Sequence, residues 1–142
     1  DYRWGVKVRD NTKTAYEDMR QEVFGYPVGI LSYTYYNCKN LIVAPKLSKY
    51  LMKMVSTFSG NTSLTTAPYI YSDSCSYMNY AFYGCTNLTG TITIDIPNVY
   101  YTTNCFSKTS KPIVLTGKCK SLAKLAATSS NGNVTVSPDA GK

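Results

Sequence analysis

The chain has 142 residues, the length of one domain with its own core, and 44% of them are hydrophobic, which excludes disorder. There is no histidine, so a Ser-His-Asp triad, a histidine base and a histidine-ligated metal are excluded. The net charge is +7, yet charged residues make up only 16% while tyrosines number 14, so Tyr, Thr, Ser and Asn are expected to carry the surface.

At the start, Tyr2, Trp4, Val6 and Val8 alternate with Arg3, Gly5, Lys7 and Arg9, the pattern of a half-buried strand. The opening residues Asp1 to Trp4 are not a signal peptide, and the chain reads as a mature form or a piece of a longer one. Asn11 or Thr12 can cap a helix that carries Tyr16, Met19 and Val23 on one face and ends at Gly25. Residues 1–27 are thus expected to form an N-terminal cap of strand and helix.

From residue 28 the sequence repeats. The aromatics Tyr35, Phe58, Phe82 and Phe106 are 23, 24 and 24 residues apart. Leu41, Leu64 and Leu88 keep that spacing, as do Leu31, Met54, Met78 and Thr102, and also Val28, Leu51, Cys75 and Val99. Within one unit Cys75, Met78, Phe82 and Cys85 fall at i, i+3, i+7 and i+10, which predicts a helical turn. Gly60 and Gly84 follow, where the chain must turn. The segments Leu41-Ile42-Val43, Leu64-Thr65-Thr66 and Thr91-Ile92-Thr93-Ile94 read as strands. The expected fold is therefore α/β: a short solenoid of about four ~24-residue units over residues 28–117, each a helical turn plus a short strand. Beyond it, Ile113-Val114-Leu115 reads as a strand, Ser121 to Ala127 as a helix, Asn131-Gly132 as a turn and Val134-Thr135-Val136 as a last strand. Residues 118–142 are taken as the C-terminal cap and tail.

The segments Ala81 to Gly90 (AFYGCTNLTG) and Thr57 to Pro68 (TFSGNTSLTTAP) resemble BspA-like leucine-rich repeats, whose unit runs aromatic, x, Gly, Cys, Thr, Ser or Asn, Leu, Thr. The first and last repeats depart from it, with Asn37-Cys38 and Ser107-Lys108-Thr109 at the Gly-Cys position. The resemblance implies a leucine-rich-repeat solenoid and an extracellular, cell-surface or virion location. It implies an adhesion or binding module of gut and oral bacteria, with similar repeats in phage proteins.

Little points to catalysis, and no enzyme, cofactor or metal site is expected. There is no C-x-x-C, no Gly-rich phosphate loop and no serine elbow. Asp73 and Asp95 are 22 residues apart, close to one repeat, a spacing that can make them surface neighbours, and are read as two solvated loop acids. Cys38 and Cys85 stand two units apart, about 10 Å at one strand spacing per unit, too far to bridge. A Cys75–Cys85 pairing stays open, and Cys105 is expected partly exposed.

The body, Val23 to Pro138, holds nine Lys, no Arg, and only Asp73 and Asp95 as acids. The lysines cluster at Lys39 to Lys53 and Lys108 to Lys124, with no base from Met54 to Ser107. An anionic partner, whether nucleic acid, acidic glycan or membrane surface, is one reading of this charge and solubility the other. Nucleic-acid readers lean on Arg forks, so the charge is assigned to solubility and nucleic acid is set aside. No membrane insertion is expected, since no apolar run reaches the ~18 residues of a spanning helix. The candidate ligand-binding residues are Tyr69, Tyr71, Tyr77, Tyr80, Tyr83 and Tyr101, because tyrosine offers a flat apolar face with a hydroxyl at low entropy cost. Tyr77 and Tyr101 share a column and predict a stacked ladder; Tyr33 with Tyr80 and Tyr36 with Tyr83 share others. The expected function is non-enzymatic recognition of a host protein or glycan. The alternative is a phage tail or virion component that contacts other virion proteins.

Overall fold

The computed structural model describes residues 12–141 together with the backbone of Tyr2–Arg3 and Val6–Lys7. The core is organised along the aromatic column. Tyr35, Phe58, Phe82 and Phe106 are fully buried, with successive ring centroids 5.5, 5.5 and 5.4 Å apart and planes within 9°. Leu31, Met54 and Met78 are buried beside them, as are Leu41, Leu64 and Leu88.

The backbone around this column is not helical. Leu31, Tyr33, Tyr35 and Asn37 donate their N–H groups sideways, to the carbonyls of Lys53, Val55, Thr57 and Ser59. The interleaved Thr34, Tyr36 and Cys38 donate three residues back along the chain. The same alternation runs from Met54 to Asn61 and from Met78 to Cys85. Two positions per unit take left-handed backbone: Tyr33, Ser56, Tyr80 and Asn104 at φ 62°, 54°, 57° and 53°, then Asn37, Gly60, Gly84 and Lys108 at 55°, 78°, 72° and 59°. A right-handed helix cannot pass through left-handed residues four apart.

The expected α/β solenoid of helical turns plus strands is therefore not formed. The spacing of Cys75, Met78, Phe82 and Cys85 comes from consecutive three-residue turns whose spare donors bond to the next unit. The one α-helix among the described residues, α1 at Leu122–Ala126, lies in the C-terminal segment.

Strand pairing is also narrower than expected. A four-stranded parallel sheet orders β5 (Ile70–Tyr71), β6 (Gly90–Asp95), β7 (Ile113–Thr116) and β8 (Val134–Val136), with Ile70 opposite Ile94, Gly90 opposite Ile113 and Ile113 opposite Val134. The segments 41–43 and 64–66 make only the isolated bridge Val43 to Thr66. Pro45 and Pro68 follow them, in the column that Ile92 occupies inside β6. Proline brings no N–H to a ladder.

At the N-terminal end Tyr2–Arg3 (β1) pairs antiparallel with Val6–Lys7 (β2), so the single strand expected there is two short ones. Trp4, Val8 and Asn11 lie outside the described residues. The helix expected over Tyr16 to Val23 is absent. Glu22–Val23 (β3) and Tyr26–Pro27 (β4) instead form a hairpin whose turn residues Phe24 and Gly25 have φ 51° and 79°, the mirror-type turn that suits strand twist. The extended segment before it lies against the first unit. Ile42 N–H donates to Thr14 O and Met19 N–H to Lys46 O, and Tyr16 packs 5.6 Å from Tyr35. Asp18 Oδ1 and Gln21 Oε1 accept the N–H groups of Lys46 and Lys49 at 3.0 and 2.8 Å.

At the other end the side chain of Thr128 takes the place of a further unit: its Oγ1 accepts Phe106 N–H at 2.9 Å. Ser121 Oγ likewise accepts Val99 N–H at 2.9 Å. All five cysteines are free and buried, so neither Cys75 nor Cys85 is bridged. Cys105 is fully buried rather than partly exposed, because its column, shared with Thr57 and Ala81, faces the core throughout.

Candidate functional site

Alternation along a strand sends neighbouring side chains to opposite faces. Ile70 points into the core, so Tyr69 and Tyr71 on either side of it both point out, 55% and 42% exposed. Their rings lie 6.3 Å apart at 29° and form a ridge with a cleft on each flank. One cleft, about 400 Å³, is lined by both tyrosines with Asp73, Asp95, Lys118 and Lys120. The other, about 340 Å³, is lined by the same tyrosines with Gln21, Lys46, Ser48 and Lys49. Both volumes fall in the roughly 300–1,000 Å³ range of small-molecule sites.

Parallel register builds the first cleft. Tyr71 pairs with Asp95 across β5 and β6, and one unit further on Lys118 N–H donates to Asp95 Oδ1 at 2.8 Å. Gly117 makes that approach possible. With φ +111°, its missing Cβ leaves room for Ile94 O and for Asp95 Oδ1, which a Cβ would meet at 2.8 Å. Tyr69 Oη donates to Asp95 Oδ2 at 2.6 Å, and Tyr71 Oη to Asp73 Oδ1 at 3.4 Å. The bond to Tyr69, helped by the Lys118 N–H and ammonium, holds the Asp95 carboxyl below its ordinary value of 3.8. The same bond, with some desolvation and the nearby carboxylate charge, pushes the Tyr69 phenol from 10.0 up to about 12. At neutral pH the cleft thus presents an ionised acceptor clasped by a phenol, not a proton donor.

Asp73 and Asp95, close to one unit apart in sequence, both line this cleft. Column arithmetic carried one unit further, from Tyr71 through Asp95 to Lys118, is the signal that would have found the lysine bank. Carried one unit back from Tyr71, it reaches Ser48 in the second cleft.

The remaining tyrosines form other pairs. Tyr77 and Tyr101 stack at 4.4 Å and 7°, with Lys53 Nζ 4.8 Å from the Tyr77 ring centroid. Parallel bridges join Lys53 to Tyr77 and Tyr77 to Tyr101. Tyr33 does not meet Tyr80, nor Tyr36 Tyr83, because the intervening unit carries Ser56 and Ser59. The contacts are within a unit instead: Tyr33 with Tyr36 at 5.5 Å and Tyr80 with Tyr83 at 5.4 Å. Asn104 Nδ2 donates to Tyr80 Oη at 3.0 Å, and Lys108 Nζ sits 5.4 Å from the Tyr83 ring centroid.

Among the described residues no group of three His, Cys, Asp or Glu side chains is placed to hold a metal ion, and no helix is long and apolar enough to cross a membrane. Comparison with models of known families, with curated proteins and with solved structures returns no match.

Proposed function

We propose that the chain is a non-enzymatic recognition module, displayed on a cell or virion surface, whose ligand is a glycan. The ridge of Tyr69 and Tyr71 between two clefts carries this reading. A sugar ring has an apolar C–H face and a rim of hydroxyls. A flat aromatic face complements the first, and fixed acceptors such as Asp73 and Asp95 complement the second. The likeness of residues 57–68 and 81–90 to BspA-like repeats supports a surface location.

The test is immobilised-oligosaccharide binding by the wild type and by a Tyr69→Ala/Tyr71→Ala variant. Two ring contacts at roughly 1 kcal/mol each give a loss of about thirtyfold. Equal binding by the two proteins would refute the assignment to this ridge. A Tyr77→Ala/Tyr101→Ala variant, which removes the stacked pair, is expected to keep wild-type affinity.

A further inference from the structure

The two lysine clusters are far apart in sequence, with no base between Met54 and Ser107. The structure brings two lysines of each cluster to one place. Lys46 and Lys49, from the first cluster, line the cleft on one flank of the tyrosine ridge. Lys118 and Lys120, from the second, line the cleft on the other flank. Their backbones are anchored at the site: Lys46 N–H on Asp18, Lys49 N–H on Gln21 and Lys118 N–H on Asp95. Assigning the basic charge to solubility alone does not account for this convergence.

The flanks differ. Lys118 and Lys120 share their cleft with Asp73 and Asp95, so that side is mixed in charge and rich in acceptors for sugar hydroxyls. The cleft of Lys46 and Lys49 has no acid in its lining; Asp18 accepts the Lys46 N–H. Lys49 is further placed by Tyr50, whose ring centroid is 5.1 Å from its Nζ.

We infer that the ligand is an anionic oligosaccharide lying across the Tyr69–Tyr71 ridge, its acidic group seated between Lys46 and Lys49 and a neutral neighbouring sugar facing Asp95. This rests on the glycan reading above and specifies the ligand's chemistry and direction. The acidic group is a carboxylate of a uronic sugar or a sulfate ester, since an ammonium pair recognises either as a point charge.

The test is titration calorimetry of the full chain with three hexasaccharide probes: oligogalacturonate, a heparin fragment and neutral maltohexaose. Either acidic probe is expected to bind at least tenfold more tightly than maltohexaose, and which one wins distinguishes carboxylate from sulfate. Lys46→Gln/Lys49→Gln should cost the acidic probe roughly tenfold and leave maltohexaose unchanged, given up to about 1 kcal/mol per exposed ion pair. Lys39→Gln/Lys111→Gln removes the same charge outside both clefts and should cost under twofold. Equal loss in the two lysine variants would mean unspecific charge attraction and overturn the inference. If maltohexaose binds as tightly as the acidic probes, the acidic ligand is wrong while the glycan reading stands. If none of the three binds, both fall.

Discussion

Gly84→Ala tests the left-handed turn of the repeat by the sign of its effect. In right-handed helical backbone the substitution would stabilise, by about 0.8–1.0 kcal/mol. Gly84 instead sits at φ +72°, and an added Cβ would meet nothing nearer than Gly60 at 3.8 Å. The cost is therefore conformational alone: roughly 1–2 kcal/mol for an L-residue in left-handed backbone, offset by up to about 1 kcal/mol because alanine stiffens the unfolded chain. A net loss near 1 kcal/mol lowers Tm by about 2–4 °C at this chain length. The variant should still fold, since Asn37 and Lys108 occupy the same column at φ 55° and 59°.

Gly60→Ala adds a steric term, because its Cβ would run into Asn37 Oδ1. Moving that amide off its rotamer adds about 0.5–1.5 kcal/mol. Asn37→Gly in the Gly60→Ala background should recover that part, whereas in the Gly84→Ala background it should recover none. Urea denaturation followed by circular dichroism measures all five proteins. A Gly84→Ala chain more stable than wild type would refute the turn geometry. Equal costs at Gly60 and Gly84 would refute the contact with Asn37.

Phe82→Ala, which empties the middle of the ring stack, should cost about 3–5 kcal/mol in the same urea experiment. Asp95→Asn should bring the Tyr69 phenol down from about 12 towards 10.0, read by ultraviolet titration of the wild type against the variant. The signs follow from linkage. The raised phenol contributes stability that is present below pH 10 and lost as pH climbs through about 12. The depressed Asp95 carboxyl contributes stability present above its ordinary value of 3.8 and lost as pH falls through its lowered one. Burial pushes the Cys75 thiol up to about 11 and Cys85 up to about 12, so both should react with Ellman's reagent only at the rate of unfolding. Fast labelling of either in the native protein would contradict its burial.

The columns were legible in the sequence because a buried position tolerates few residue types, and the aromatic stack at Tyr35, Phe58, Phe82 and Phe106 follows from spacing alone. The turn type was not. An i, i+3, i+7 apolar pattern suits a helix and a series of three-residue turns equally. The glycine that betrays left-handed backbone stands at Gly60 and Gly84, while Tyr33, Ser56, Tyr80 and Lys108 hide it. The strands of the first two units were overestimated where Pro45 and Pro68 replace a ladder donor. At the site the tyrosines could be named from composition. Their partners could not, because Lys118 and Lys120 lie beyond the repeats of residues 28–117.

The sideways hydrogen bonds of the turn segments all point one way, from each unit's N–H groups to the carbonyls of the following unit. In the turn segments an interior unit thus presents acceptors to its predecessor and donors to its successor, whereas Thr65, Ser76 and Thr89 donate the other way, to the preceding unit. Duplicating residues 78–101 in frame would lengthen the stack by one layer with the turn-segment bonds running in the same direction. The ends have no such freedom. The last unit needs an acceptor, which Thr128 supplies to Phe106, and the first meets the chain from Thr14 to Gln21. Length can therefore change inside the stack by whole layers, while its two closing segments are not interchangeable.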